Sequence, residues 1–203
     1  MKIKKHKLLL YEFTSKRMRN KLLLLWIVLL AFTLFDTFVP MTGDLWFILW
    51  GILPLLFALW IYYAFLIRRA ALIVTPKYMI LQGPLTAVKI SYGRVATVTS
   101  SHMNQQFDLK SLKGRQKFLV KPLYHYPCGF IELNSLPKKL GKSRHLWFSP
   151  FLFSPRRAGL LLVVDDWMKL SRDVEDARHR WREARGLQDK DDNRSLAARI
   201  LDY

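Results

Sequence analysis

Long apolar runs come first in this chain and short alternating ones follow, with the change at Ile67. Leu22 to Val39 carries one charge, Asp36, and Leu45 to Ile67 carries none. At about 1.5 Å per residue, a helix over the second run reaches roughly 34 Å, enough to cross a hydrocarbon core about 30 Å thick. The first run is at the short limit for a span. Pro40-Met41-Thr42-Gly43-Asp44 is a short polar turn, so the two helices are expected as antiparallel neighbours. Gly51 and Pro54 predict a local kink in the second. Trp26 and Asp36 face either a partner helix or simply lipid and turn. A basic segment before an apolar run has the outline of a secretory leader. No small-x-small cleavage site follows it, however, and a second span comes at once, which predicts a retained anchor.

After Ile67 the apolar positions shorten and alternate. Ala71 to Thr75, Tyr78 to Gln82, Leu85 to Ser91 and Val95 to Thr99 are β-branched or apolar runs punctuated by Pro76-Lys77, Gly83-Pro84 and Tyr92-Gly93-Arg94. That pattern predicts an antiparallel meander. Ser100 to Gly114 is polar and expected as a loop. Lys117 to Val120, Gly129 to Leu133 and His145 to Ser149 are further expected strands. At Ser154-Pro155 the period changes, with Ser suited to an N-cap and Pro to the first helical position. Leu160, Val163, Val164, Trp167, Leu170, Val174, Ala177 and Trp181 then recur at helical steps, and Gly186 is a plausible stop. The expected class is α+β: a transmembrane hairpin, then an antiparallel β-barrel or sandwich capped by a C-terminal amphipathic helix. The division is a basic segment 1–21, spans 22–39 and 45–67, a domain 68–186 and a tail 187–203.

Charge sets the expected orientation. Lys2, Lys4, Lys5, Lys7, Lys16, Arg17, Arg19 and Lys21 precede the first span against Glu12 alone, and Arg68-Arg69 follow the second. The turn between them has no Lys or Arg, so both chain ends are expected on the cytoplasmic side of an inner membrane. Leu8-Leu9-Leu10-Tyr11-Glu12-Phe13 lies between the lysines. Two readings stay open for it: a short interfacial segment dipping into the headgroups, or lysines that simply obey the positive-inside rule. The whole chain has a net charge of +18. Lys110, Lys113, Arg115, Lys117 and Lys121 form one basic cluster, and Lys138, Lys139, Lys142 and Arg144 another, with Arg156 and Arg157 nearby. Held below a span, such clusters face anionic lipid, and each cation contributes on the order of 1 kcal/mol. Membrane lipid is therefore an expected partner, and nucleic acid is not.

Two spans followed by Ile73-Val74-Thr75-Pro76-Lys77-Tyr78-Met79-Ile80 and Val88-Lys89-Ile90-Ser91-Tyr92-Gly93-Arg94-Val95-Ala96-Thr97-Val98 resemble the bacterial pleckstrin-homology-like membrane proteins. Ser91 stands where that family often has Pro, and Lys77 roughly where it has Arg. The resemblance spans about Arg68 to Arg185 plus the hairpin. It implies a curved antiparallel sheet with a C-terminal helix more than it implies an activity.

Chemistry is sparse. His125 and Cys128 have a ligand-like spacing, with His102, His145 and His179 scattered, but a zinc site needs three or four such ligands. Cys128 is the only cysteine, so no disulfide within the chain is possible. Asp165, Asp166, Asp173 and Asp176 fall on an expected charged helix face, with Lys169 and Arg180 at i+4 pairing distance of Asp165 and Asp176. No phosphate loop, dinucleotide fingerprint or nucleophile elbow is present. The expectation is therefore a non-catalytic protein without cofactor or metal: an accessory or scaffold subunit that meets other membrane proteins, or its own copies, through Arg172, Arg178, Arg180 and Arg182. The alternative is an anionic-lipid sensor working through the two basic clusters.

Overall fold

A computed structural model describes residues 3–39, 43, 46–137, 140 and 148–187. Strand β1 (Lys4–Lys7) opens the chain. Helix α1 (Leu9–Phe38) and helix α2 (Trp46–Ile61) follow, the second running on through a π-turn, Tyr62–Leu66, and a 3-10 turn, Ile67–Arg69. Both helices are long and apolar enough to cross a membrane, and their apolar windows are only 17% and 11% buried within the chain. They are candidate membrane spans that pack side by side. Trp26 donates its indole N–H to the Leu53 carbonyl at 3.2 Å, so this side chain serves the hairpin itself. Pro54 sits inside α2, and the departure from regular α-helix comes at Tyr62. There the Ser15 hydroxyl donates to the Tyr63 carbonyl at 2.7 Å.

Strands β2 (Ala71–Val74), β3 (Met79–Gln82) and β4 (Ala87–Ile90) form the expected meander. The fourth strand of this antiparallel sheet is β1, paired on β2 from Lys4 opposite Val74 to Lys7 opposite Ala71. The segment expected to lie in headgroups, or merely to carry positive charge, is thus sheet and core. Leu8, Leu9, Leu10 and Tyr11 are all buried. The hairpin is an insertion between two paired strands, and the sheet unit starts before it, not at residue 68.

A second antiparallel sheet holds β5 (Val95–His102), β6 (Pro127–Leu133) and β7 (Gly159–Leu162) in that order. Among the described residues the two sheets do not close into a barrel. The first ladder stops at Ile90, and the 3-10 turn Tyr92–Arg94 carries the chain across, with the Tyr92 hydroxyl donating to the Thr75 carbonyl at 2.6 Å. Between β5 and β6 the expected loop contains α3 (Met103–Gln106), and the expected strand at Lys117 is helix α4 (Gly114–Val120). The strand expected at His145 lies mostly outside the described residues, and Phe148-Ser149 is not strand.

The helix expected from Ser154 begins twelve residues later. Ser154 Oγ accepts the N–H groups of Arg156 and Arg157, but it caps a turn, and Leu160 falls in β7. An unbroken apolar run buried on both faces is strand-like, and the helical spacing of Leu160, Val163 and Val164 is coincidental to it. Helix α5 (Trp167–Glu183) is capped by Asp166, whose carboxylate accepts the Lys169 N–H at 2.9 Å. It buries Leu170, Asp173, Val174 and Ala177 against the sheets, and Trp181 covers Gly93 so closely that a Cβ there would lie 2.8 Å from the ring. Gly186 ends it at φ +64, with Gly186 N–H bonded to Glu183 and Leu187 N–H to Arg182.

Asp173 ties these parts together. It is 4% exposed and receives Lys4 Nζ at 2.5 Å and His6 Nε2 at 3.0 Å, both from β1. Asp173→Ala leaves those two groups facing a gap. Because Lys4 is partly solvated, the loss is set at about 1–3 kcal/mol, below that of a fully buried pair. Thermal unfolding checks this, and hydrogen exchange should quicken at Lys5 to Lys7 before other strands. Gly159→Ala tests the packing of β7, since its Cβ would meet the Phe130 ring at 2.5 Å and the Ile131 carbonyl at 2.7 Å. A loss of about 1–3 kcal/mol is expected, with Gly114→Ala, which meets nothing within 4 Å, neutral or slightly stabilising.

Candidate functional site

Helix α4, which carries part of the first basic cluster, meets helix α1 through Phe118. Asp108 shapes the approach: its carboxylate accepts the Lys110 N–H at 2.9 Å, and its carbonyl accepts the Ser111 hydroxyl at 2.8 Å. Lys110, Lys113, Lys117 and Lys121 are exposed around α4, and Arg115 lies in its first turn. Val120 and Leu123 are buried and fix α4 to the core, which leaves Phe118 outward, 36% exposed. Phe118 meets α1. The Arg17 guanidinium lies over its ring at 3.2 Å from the centroid and donates one N–H to its carbonyl at 3.5 Å. Lys21 Nζ lies 5.5 Å from the same centroid. Cations near a phenyl ring are attracted by its quadrupole, by about 0.5–1 kcal/mol per exposed contact.

A groove of about 370 Å³ opens beside this ring, lined by Phe13, Thr14, Lys16, Arg17, Phe118, Leu119 and Pro122. Phe13 closes one side and also meets Tyr126 edge-on at 6.1 Å. Lys16 is held by Glu12 at 3.0 Å. Sequence reasoning finds the lysines and misses the ring and the α1 cations, because Phe118 reads as a strand residue and Arg17 and Lys21 as topological charge. A signal is present: Phe118 and Pro122 share a helical face, with Lys117 and Lys121 beside them.

The other expected site residues are not gathered. Lys138, Lys139, Lys142 and Arg144 lie outside the described residues. The four arginines of α5 do not share one face: Arg172 and Arg180 are exposed, while Arg178 and Arg182 are half-buried on the side turned to the domain. At 100° per residue, the exposed pair and the half-buried pair fall on opposite sides of the helix. Arg180 is paired with Asp176 at 3.8 Å. His125 is exposed and packs edge-on to Tyr124, whereas Cys128 is fully buried. Among the described residues, no group of three His, Cys, Asp or Glu side chains is placed to hold a metal.

No family model, no curated protein and no solved structure matches this chain.

Burial pushes the Cys128 thiol up from 9.0 to about 11, partly opposed by the Ser101 hydrogen bond. The same cause pushes Tyr92 from 10.0 to about 12, partly opposed by the Thr75 carbonyl contact. In both, the unfolded chain ionises first, so stability is full below pH 9.0, falls as pH rises, and has lost both contributions by about 12. Chemical denaturation across this range should show that fall, and Tyr92→Phe should flatten its upper part. A maleimide at pH 7 should label Cys128 only after unfolding.

Proposed function

We propose that this is a non-catalytic membrane protein with a pleckstrin-homology-like domain on the cytoplasmic side, acting as an accessory or scaffold subunit for other membrane proteins. One observation carries the reading: the sheet and the hairpin are joined without linkers. A single residue, Leu8, separates β1 from α1, and a single residue, Ala70, separates the Ile67–Arg69 turn from β2. Both are buried, and the Leu8 N–H donates to the Ala70 carbonyl at 3.4 Å. A module recruited by lipid has to come and go, and this one is fixed in height and orientation. Fixed geometry suits a part that presents a shaped surface to neighbours in the same membrane. The order of two antiparallel sheets with a helix packed across them is in keeping with a pleckstrin-homology-like reading, with the first strand contributed from before the hairpin.

Of the arginines on α5, Arg172 and Arg180 are the ones open to a partner. Native membranes extracted in a mild detergent should yield a discrete complex of fixed composition on sizing. Arg172→Glu with Arg180→Glu should lower partner recovery several-fold. A Gly-Ser-Gly-Ser insertion between Arg69 and Ala70 should do the same while leaving membrane insertion intact. A lone protein or simple homo-oligomer in every mild detergent would count against the reading.

A further inference from the structure

We infer that the groove between α1 and α4 is a binding site for one anionic phospholipid of the leaflet on the sheet side. The inference needs the hairpin to be a membrane anchor but does not need the scaffold role. Three observations converge on it.

The lining is amphipathic in the way a lipid is. Phe13, Phe118, Leu119 and Pro122 supply apolar wall, and Lys16 and Arg17 supply charge at its edge. An acyl chain matches the first set and a phosphate the second. A free phosphate has no use for the apolar wall, and a purely apolar occupant has none for the cations.

The charge around the groove is one-sided. Lys16, Arg17 and Lys21 come from α1, and the exposed Lys117 and Lys121 come from α4. The lining holds no carboxylate, and the nearest one along α1, Glu12, is engaged with Lys16. Arg17 is ordered before any ligand arrives. Its guanidinium is stacked on Phe118 and tied by one N–H to the Phe118 carbonyl, which leaves further N–H donors for a phosphate. Little side-chain entropy then remains to be lost on binding.

The site is at the right depth. Lys21 is the last charge before the apolar run that opens at Leu22, and the exposed Leu23, Leu24 and Leu25 come directly after. The end of the charged stretch is the level at which headgroup phosphates lie, and the groove sits within one or two helical turns of it. A lipid whose phosphate lies at Arg17 and Lys21 has the groove wall of Phe13, Phe118, Leu119 and Pro122 open to one acyl chain, while the other stays along the apolar run of α1.

The test uses the full-length protein in detergent with phosphatidylglycerol or phosphatidylcholine added, read by native mass spectrometry as lipid retained per chain. Wild-type protein should keep one phosphatidylglycerol and no phosphatidylcholine. Arg17→Gln with Lys21→Gln should weaken phosphatidylglycerol retention about ten- to thirty-fold, as expected for two cations near the phosphate. Phe118→Leu should weaken it less, and Lys110→Gln with Lys113→Gln should leave it unchanged. Every variant should still unfold cooperatively, with the Arg17/Lys21 and Phe118 variants slightly below wild type because they lose the ring–cation contacts and the Lys110/Lys113 variant equal to it. Equal retention of the two lipids by the wild type would overturn the inference and leave the scaffold reading standing. So would phosphatidylglycerol retention that falls with Lys110→Gln and Lys113→Gln but not with the groove variants. Full displacement by millimolar glycerophosphate would also overturn it, because the site would then take a soluble phosphate.

Discussion

The hydrogen bond from Leu8 to Ala70 is a small contact with a large consequence. It extends the β1–β2 ladder by one step, up to the point where both chains turn into helices. Leu9 N–H bonds in turn to the Val163 carbonyl just beyond β7, so the mouth of the hairpin is fastened to both sheets. Both ends of the hairpin are thus held at one buried point, and α1 runs from it to Arg17, where it meets Phe118 of α4.

Charge inside the fold is used differently from charge outside it. Asp173 is the buried acid of α5, and it is answered by two groups of the strand that leads to the anchor. A buried ion pair is weak evidence of stability. Slipping β1 by one residue would offer Asp173 Lys5 and Lys7 in place of Lys4 and His6, so the register depends on the burial of Leu8 to Tyr11 beyond the strand more than on charge. The remaining basic residues of β1, the exposed Lys5 and Lys7, stay in solvent. Excess positive charge thus coexists with a core in which the one buried carboxylate of α5 has its partners.

Much of the architecture is legible from periodicity. The two apolar runs, the meander from Ala71 to Ile90, the strand ending at Leu133 and the stop at Gly186 are all set by local pattern and turn chemistry. The elements that pattern misses have a common cause. Lys4 to Lys7 is a strand made almost entirely of lysine, and nothing local marks it. Its partners, β2 and Asp173, lie far away in the chain. Lys117 to Val120 has strand-like composition but lies between Gly114 and Pro122, and packing of Val120 and Leu123 decides for helix. The Ser154-Pro155 signal is a real hydrogen-bonding turn, but a capping residue satisfies only its own turn and does not choose the element beyond it. At the candidate site the lysines are visible in the sequence and the contact of Phe118 with Arg17 and Lys21 is not, since it joins positions about a hundred residues apart.

Placing the hairpin inside the sheet also orders the protein's birth. Strand β1 leaves the ribosome first and has no partner until both helices have been made and β2 emerges. For that whole interval it is charged and unpaired. If only one helix crosses the bilayer, β1 and β2 end on opposite sides and the sheet is never completed. A chain with only one helix across would keep an open sheet edge at β2.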